Sequence, residues 1–269
     1  MLSVRSTVSY NKEVIELIDT HCHIQFADYP LDTAEVLTNA RDSGVVGMIV
    51  VGCGLHDSQA APVFANKYDD VWASIGLHPH EAAKYVHDHH ALQQFRDLTN
   101  QRKVVAIGET GLDYYYENSP KEDQKKLLRF QLELAVEHDL PLIFHVRDAF
   151  DDFWPIVDEY KGLRGVVHSF SSDARDLEQI LARGFYVGLN GIMTFTKRSD
   201  QLEAAKVIPL EKLLLETDAP FLTPTPFRGT ICEPKHVRTT AEFLAHLRDE
   251  SLEDVAGATT SNARKLFQL

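Results

Sequence analysis

The sequence predicts an α/β protein built as a single (β/α)8 TIM-type barrel, and three observations support this prediction. Short apolar, β-branched runs recur along the chain, and each is followed by a longer amphipathic stretch. Near-continuous apolar runs indicate strands buried on both faces, and helix-length connections favour parallel neighbours. The alternation occurs eight times within 269 residues, a length that suits one barrel of about 250 residues.

The eight apolar runs mark the expected strands in chain order. These strands are Val14–Asp19, Val45–Val51, Val71–Gly76, Val104–Gly108, Leu140–His145, Gly165–His168, Phe185–Leu189 and Leu213–Thr217. The amphipathic segments between and after them mark the expected helices. These helices are Asp32–Ser43, His56–Tyr68, Leu92–Gln101, Lys121–His138, Phe150–Tyr160, Ala174–Arg183, Ser199–Ile208, Pro234–Arg248 and Leu252–Phe267.

The sequence pattern favours one domain. No internal repeat, low-complexity tract or Pro/Ser-rich linker divides the sequence. We therefore expect a single barrel domain over residues 14–269, preceded by an N-terminal extension over residues 1–13, with Pro220–Pro226 as a shaped loop after the last strand. A doubly wound open sheet is the alternative, but that fold does not require eight units and usually carries a glycine-rich phosphate loop after its first strand.

Composition excludes several classes of protein. The chain is 44% hydrophobic and 25% charged, which is ordinary globular usage and argues against disorder or a fibrous fold. With 27 basic and 40 acidic residues the formal net charge is −13. A domain that covers many nucleic-acid phosphates with Lys and Arg is normally basic. Any polyanion is therefore expected to be bound locally, or through bound metal.

Cysteine usage and hydropathy predict a cytoplasmic protein. The three cysteines lie far apart in sequence, so they form neither a disulfide framework nor a CxxC zinc motif, and a reducing compartment is expected. Residues 1–13 lack the apolar segment of a secretory signal. No window reaches the roughly 18 apolar residues of a membrane span, so we expect no membrane partner, and we infer no obligate protein partner.

Ionisable residues follow six of the eight predicted strands. His21 and His23 follow the first strand, and their i, i+2 spacing puts both side chains on one side of an extended chain. The other strand ends carry His78-Pro79-His80, Glu109-Thr110-Gly111-Leu112-Asp113, His145 with Arg147, His168, and Glu216-Thr217-Asp218. Because the C-terminal ends of parallel barrel strands converge on one mouth, we expect these side chains to meet there.

Each of these residues has an ordinary structural interpretation on its own. His21 and His23 are compatible with a solvated strand, Glu109 with a helix N-cap, Asp218 with a turn, and His145, like His168, with a hydrogen-bonded core histidine. Taken together, however, such groups at one mouth would suffer a large desolvation penalty unless a cation neutralised them. The combined pattern therefore predicts a metal centre.

The expected donors also indicate the kind of metal. Four imidazoles and two carboxylates without a thiolate suit Zn²⁺, Mn²⁺, Mg²⁺, Co²⁺ or Ni²⁺. Six ligands exceed the three of a single open catalytic site, whereas two divalent ions about 3.5–4 Å apart use them naturally. We expect Glu109 to bridge the two ions. The remaining ligands divide into His21, His23 and Asp218 for the first ion and His145 and His168 for the second.

Six motifs in this order resemble the TatD family of metal-dependent deoxyribonucleases, which belongs to the amidohydrolase-like barrels. They are Asp19-Thr20-His21-Cys22-His23, Gly76-Leu77-His78-Pro79-His80, Gly108-Glu109-Thr110-Gly111-Leu112-Asp113, Phe144-His145-Val146-Arg147, His168-Ser169-Phe170 and Leu215-Glu216-Thr217-Asp218-Ala219-Pro220. The resemblance covers about residues 18–267. It implies a TIM-type barrel with a divalent metal centre that hydrolyses phosphodiester bonds. The implied activity is that of a 3'-5' exonuclease that acts on single-stranded DNA ends.

The resemblance carries the same six residues over as metal ligands and adds His78 as a substrate or phosphate contact. We expect Asp218 to act as the general base beside the bridging Glu109, and Glu216 to orient ligands from behind. Arg147, Arg228 and Lys197 or Arg198 are candidate phosphate contacts, with ordinary solvated loop cations as the alternative. Tyr114, Tyr115 and Tyr116 are candidates for base stacking, with packing under their loop as the alternative.

One position departs from the family, and two other functions remain open. The family commonly has Asn where this chain has Cys232, in Arg228-Gly229-Thr230-Ile231-Cys232-Glu233-Pro234, so a substrate-side loop differs. A hydrolase of C–N or C–O bonds on the same barrel, such as a deaminase, lactonase or aminoacyl-tRNA deacylase, would use a similar centre. A non-catalytic barrel with a structural metal is the third interpretation, although structural sites are normally closed by four ligands.

Overall fold

The computed structural model describes residues 15–269, so the predicted N-terminal extension over residues 1–13 lies outside the described residues. Over the described part of the chain, eight parallel strands follow one another in chain order and form a nearly closed barrel. Helices alternate with these strands. The prediction of an α/β fold with a (β/α)8 TIM-type barrel is therefore confirmed.

The strands are β1 Leu17–Cys22, β2 Val45–Val51, β3 Val71–Ile75, β4 Val104–Asp113, β5 Leu142–Arg147, β6 Gly165–Val167, β7 Tyr186–Leu189 and β8 Leu213–Leu215. The helices are α1 Thr33–Asp42, α2 Leu55–Ala65, α3 Ala82–Tyr85, α4 His89–Leu98, α5 Lys121–His138, α6 Phe150–Val157, α7 Ala174–Ala182, α8 Ser199–Val207, α9 Val237–Arg248 and α10 Leu252–Phe267. Short 3-10 helices occupy Pro79–Glu81, Gly191–Thr194, Leu210–Lys212 and Pro234–His236.

The barrel closes where β8 meets β1. Cys22 forms a parallel bridge with Ala219, and the backbone N–H of His23 donates to the Ala219 carbonyl at 2.7 Å. The Thr20 hydroxyl donates to the Leu215 carbonyl at 2.9 Å. These bonds hold the chain just after β8 against the end of β1. They therefore bring residues about 200 positions apart in sequence to one place.

The barrel interior is apolar below the mouth. Side chains from seven strands contact one another there, together with the end of α10, in a buried cluster of Ile18, Ile49, Val51, Ala106, Ile143, Val166, Tyr186, Leu214, Ala263, Leu266 and Phe267. Inward-facing positions recur every second residue along a strand. His145, His168 and Glu216 each lie two residues beyond a member of this cluster, so the alternation directs their side chains inward at the mouth.

Several predicted element boundaries were wrong, and the end of β4 is the most important. This strand continues past Gly108 to Asp113, because residues 110–113 pair with Phe144–Arg147 of β5. Glu109 therefore lies inside a strand rather than after one. A Cβ atom on Gly76 would lie 2.1 Å from the backbone nitrogen of Glu109. Only glycine permits this approach of the two backbones.

Strand β1 also begins and ends later than predicted, so that His21 belongs to the strand, and β8 ends two residues earlier, at Leu215. The short helix α3 was not predicted. Within residues 15–269, the helices are too short or too polar for any of them to cross a membrane.

Two buried glutamines of α5 hold the strand ends that face the mouth. Gln131 accepts from the Leu77 N–H at 2.8 Å and donates to the Leu77 carbonyl at 2.9 Å and to the Thr110 hydroxyl at 2.7 Å. Gln124 likewise accepts from the Asp113 N–H at 2.8 Å and donates to the Asp113 carbonyl at 3.0 Å. Both amides thus replace the backbone partners that these irregular segments lack.

We predict that Gln131→Met destabilises the protein by about 1–3 kcal/mol, because the buried N–H and carbonyl of Leu77 lose their partners. Urea unfolding followed by circular dichroism measures this change. Gln93→Met is the matched control, since Gln93 is exposed and bonds only Asp97 on its own helix, and a change within about 0.5 kcal/mol is expected. Equal losses for the two variants would contradict the clamping role of Gln131.

Candidate metal centre

Glu109 lies at the middle of the mouth, and its two carboxylate oxygens face different histidines. Oε1 lies 2.6 Å from Nδ1 of His145 and 2.7 Å from Nε2 of His168. Oε2 lies 3.5 Å from Nε2 of His21. The Glu109 side chain is almost fully buried. One carboxylate therefore joins two groups of nitrogen donors, as a bridging ligand would.

The first group consists of His21, His23 and Asp218. The Nε2 atoms of His21 and His23 lie 3.1 Å apart, and Oδ1 of Asp218 lies 3.6 Å and 3.3 Å from them. Nδ1 of His23 lies 2.8 Å from the Val51 carbonyl, which can only accept, so Nδ1 carries the hydrogen. The lone pair of the neutral His23 ring is then on Nε2 and points to its neighbours.

The second group consists of His145 and His168, whose Nδ1 and Nε2 atoms lie 3.4 Å apart. The opposite nitrogen of His145, Nε2, lies 3.1 Å from Oδ2 of Asp113, which also lies 2.8 Å from Nε2 of His80. A carboxylate behind a metal-ligating histidine fixes the orientation of the ring and raises its basicity. Asp113 is placed to do this for His145.

The sequence interpretation quoted Asp113 within a motif but assigned no role to it. The spacing of four residues between Glu109 and Asp113 could have indicated this role. Residues 109 and 113 face the same side of a strand, provided that β4 continues as far as Asp113. Asn190 was also missed, and it donates to Oε1 of Glu216 at 3.3 Å. The same Glu216 oxygen accepts from the Ser169 N–H at 2.6 Å and lies 3.5 Å from Nδ1 of His168. Glu216 thus stands behind the second group of ligands.

The electrostatics of the centre favour a cation. Burial alone would raise the pKa of Glu109, but His168, His78 and His145 hold that pKa well below its usual value. Burial and the neighbouring His168 lower the pKa of His21, whose ring stacks on that of His168 with centroids 4.0 Å apart. The centre therefore keeps its carboxylate anionic while crowding imidazoles that cannot all be protonated together.

The side chains fit a divalent ion. Over residues 15–269, Nδ1 of His21, Nδ1 of His168 and Oε2 of Glu216 are buried without a hydrogen-bond partner, a costly arrangement unless the centre has a role beyond packing. Several triplets place one donor atom each within 4.8 Å of one another, among them His21, His23 and Glu109. Imidazole and carboxylate donors suit the borderline to hard ions expected from the sequence. The individual ligand assignments stay predictions.

His78 lies beside this centre, with Nε2 3.5 Å from Oε1 of Glu109. Its Nδ1 accepts from the His80 N–H at 3.2 Å, so in the neutral ring the hydrogen is on Nε2. Burial lowers the pKa of His78 to about 4. Although His78 forms a possible ligand triplet with Glu109 and His145, its tautomer favours a hydrogen-bond donor.

The predicted phosphate contacts lie at the end of β5 and in the segments that follow β7 and β8. The Arg147 guanidinium stacks over the Tyr115 ring at 4.0 Å. Arg228 is exposed and donates to the Thr223 carbonyl at 2.9 Å, which leaves part of its guanidinium free. Lys197 is exposed, while Arg198 pairs with Asp200. Their contacts with phosphate stay predictions.

Cys53 and Cys232 lie in different surroundings. The Sγ atom of Cys53 lies 3.6 Å from Oε2 of Glu109, at the edge of the centre, because Cys53 lies two residues beyond Val51 of the interior cluster and faces inward as well. Cys232 is fully buried. The side chain that departs from the family pattern therefore presents no surface to solvent. His87, His89 and His90 are exposed and lie outside the centre.

The fold and this arrangement define a metal-dependent hydrolase on a TIM-type barrel. Comparison with known families identifies which one, because the family described as TatD related DNase matches residues 18–268. The chain therefore belongs to the TatD family of metal-dependent hydrolases, as its motifs indicated.

Individual relatives agree with this membership. An uncharacterized metal-dependent hydrolase, YabD of Bacillus subtilis, is 38% identical over 94% of this chain and 99% of its own length. A protein described as 3'-5' ssDNA/RNA exonuclease TatD, from Shigella flexneri, is 33% identical over 93% of this chain and 98% of its own length. The crystal structure of YJJV, a TatD homolog from Escherichia coli, superposes with a TM-score of 0.88 at 32% identity, covering 95% of this chain and 99% of that chain.

We predict that Glu109→Ala abolishes turnover and lowers the bound divalent metal, because the carboxylate that lies between the two groups of histidines is removed. Inductively coupled plasma mass spectrometry after dialysis against Mn²⁺ or Zn²⁺ gives the metal content. His89→Ala is the control, since His89 is exposed at the start of α4. An unchanged metal content in Glu109→Ala would refute the bridging role.

A second variant tests the carboxylate behind His145. We expect Asp113→Asn to weaken the affinity for metal about 10–100-fold, because the amide no longer holds His145 in one orientation and no longer raises its basicity. Calorimetric titration of the metal-free protein measures this affinity. Asp123→Asn serves as control, because Asp123 lies on α5 and pairs with exposed side chains. Equal affinities in the two variants would rule out the supporting role of Asp113.

Proposed function

We propose that this protein is a phosphodiesterase that removes nucleotides from single-stranded DNA ends as a 3'-5' exonuclease. The observation that carries the proposal is the position of Glu109 between two groups of imidazoles, which offers two neighbouring ions a shared carboxylate. Two divalent ions held by these residues would stabilise the attacking and leaving oxygens of phosphoryl transfer. The description of the Shigella flexneri relative as a 3'-5' ssDNA/RNA exonuclease supports the same activity.

His21, His23, Glu109, His145, His168 and Asp218 would hold the ions, which when bound acidify water and neutralise charge on phosphate oxygens. Asp218 is the residue proposed to accept the proton of the attacking water. Its side chain is 16% exposed at the mouth, so water can reach it. Burial opposes ionisation of Asp218, but the neighbouring imidazoles of His23 and His21 hold its pKa below the usual value. Asp218 is therefore anionic and available as a base.

The neighbouring residues would bind and orient the phosphate. His78 presents its Nε2–H at the side of Glu109, where it can donate to a non-bridging phosphate oxygen. Because burial keeps this imidazole neutral at physiological pH, it donates without adding charge. Arg147 lies at the end of β5, on the same strand as His145 and two residues beyond it. Its guanidinium is suited to form hydrogen bonds with the DNA phosphate next to the reacting one.

The acidic net charge of −13 fits this local mode of binding. Few phosphates need to be gripped by side chains when metal ions hold the reacting one. The logarithm of the DNA-binding constant is therefore expected to fall only slightly with the logarithm of the salt concentration. This slope scales with the number of phosphates that Lys and Arg side chains neutralise.

The test is hydrolysis of end-labelled single-stranded DNA with Mg²⁺ or Mn²⁺, analysed by gel electrophoresis. We expect stepwise shortening from the 3' end and complete loss of activity with a chelator. Asp218→Asn should lower kcat by about 10²–10⁴-fold, since a general base contributes that much. Asp97→Asn is the control, because Asp97 is exposed on α4.

Amide, lactone and aminoacyl-ester substrates are assayed beside the DNA. Hydrolysis of one of these with no shortening of DNA would replace the nuclease proposal by the alternative chemistry of the same barrel. Shortening from the 5' end alone would retain the phosphodiesterase and reject the 3'-5' direction.

A further inference from the structure

Exposed aromatic side chains flank the candidate metal centre. Tyr115 and Tyr116 follow β4 and are 58% and 54% exposed, and Phe221 follows β8 and is 55% exposed. Large aromatic rings usually bury most of their surface, and exposed apolar groups beside a site mark a binding surface. These three rings are therefore candidates for contacts with substrate.

The rings approach the centre from opposite sides. The centroid of Phe221 lies 6.4 Å from that of His23, in an edge-on arrangement. On the other side, the Tyr116 centroid lies 5.7 Å from that of His80, which lies 6.3 Å from that of His145. In an eight-stranded barrel, β4 and β8 are four strands apart and so stand opposite each other. The candidate metal ligands therefore lie between Phe221 and the two tyrosines.

The Arg147 side chain holds the two tyrosines in place. The Arg147 guanidinium lies 4.0 Å from the centroid of Tyr115 and 4.7 Å from that of Tyr116. The two rings also contact each other edge-on, with centroids 4.8 Å apart. Cation–π contacts of this kind restrain the rings while their remaining surface stays exposed to solvent. A ring that is already restrained loses little further conformational entropy when a ligand stacks on it.

Tyr115 also lines a cleft. This cleft has a volume of about 510 Å³, and its walls include Arg147, Phe150, Phe170 and Arg198. The walls also include the carboxylates Asp148, Asp151 and Asp176, which offset the charge of the guanidinium groups. What the cleft offers a nucleotide is therefore aromatic ring surface on which a base can stack.

We propose that the unpaired bases on the two sides of the scissile phosphate stack on Phe221 and on Tyr115. This inference rests on the proposed nuclease function and adds to it the means by which the enzyme selects single strands. Aromatic stacking tolerates any base, because every base has a π face. Bases inside a duplex are already stacked and paired, so both rings would stay unoccupied and binding would be weaker.

The experiment compares two single strands of equal length, one with ordinary bases and one with abasic residues at the three 3'-terminal positions. Both contain the same phosphodiester bonds. We expect the wild-type protein to have a KM about ten-fold or more higher for the abasic strand. Phe221→Leu and Tyr115→Leu should each raise KM for the base-bearing strand by about ten-fold, the effect of losing one base stack. The ratio between the two KM values should then fall toward one.

Phe227→Leu is the matched control. Phe227 belongs to the same loop as Phe221 and is 44% exposed, but its ring packs on His236, with centroids 5.1 Å apart, rather than on a residue of the centre. The control should keep the wild-type ratio of the two KM values. If Phe227→Leu lowers that ratio as much as Phe221→Leu does, the assignment to Phe221 is wrong.

The outcomes separate this proposal from the function on which it rests. If the wild-type protein hydrolyses both strands with equal KM, or if both leucine variants keep the wild-type ratio, stacking is overturned and the nuclease function stands. If neither strand is hydrolysed under any metal condition, the nuclease function itself is overturned.

Discussion

The arrangement of the mouth depends on a single buried carboxylate. Glu109 can stay ionised in the interior only because imidazoles surround it, with the nearest nitrogen 2.6 Å away. Its place is fixed by backbone contacts on both sides, since Gly76 permits β3 to touch it and β4 continues beyond it along β5. Every other group of the centre is arranged around this charge. The fold therefore stabilises the negative charge of Glu109 with nearby imidazoles, in place of the water that would solvate an exposed carboxylate.

Along the barrel axis, the apolar side chains that stabilise the fold and the ionisable side chains of the candidate centre form separate layers. Ile143, Val166 and Leu214 face inward and pack against one another below the mouth. Two residues further along each strand the inward position is ionisable. The apolar layer contributes burial, which is the main favourable term in folding, while the layer above it carries groups whose desolvation is costly. A short distance along the strands thus divides the residues that stabilise the fold from those of the candidate metal centre.

Much of the fold could be predicted because its causes are local in sequence. A strand buried on both faces requires an apolar run, and a parallel neighbour requires a long connection, so eight repeats of this pattern indicate a barrel. The convergence of strand ends then placed His21, Glu109 and Asp218 together. Asp113 was not assigned because its role depends on how far β4 pairs with β5, which periodicity does not encode. Contacts such as that of Cys53 with Glu109 depend on side-chain positions across strands, which a single sequence does not specify.

The seam between β1 and β8 has a consequence for biosynthesis. The Asp218 N–H donates to the His21 carbonyl at 2.8 Å, so groups from early and late parts of the chain share one wall of the site. A ribosome has to release nearly the whole chain before these groups can meet, because the last strand is needed to complete the ring. Under the proposed ligand assignment, cation capture would consequently be a late event in the life of the nascent polypeptide, and partial translation products would lack the full set of ligands.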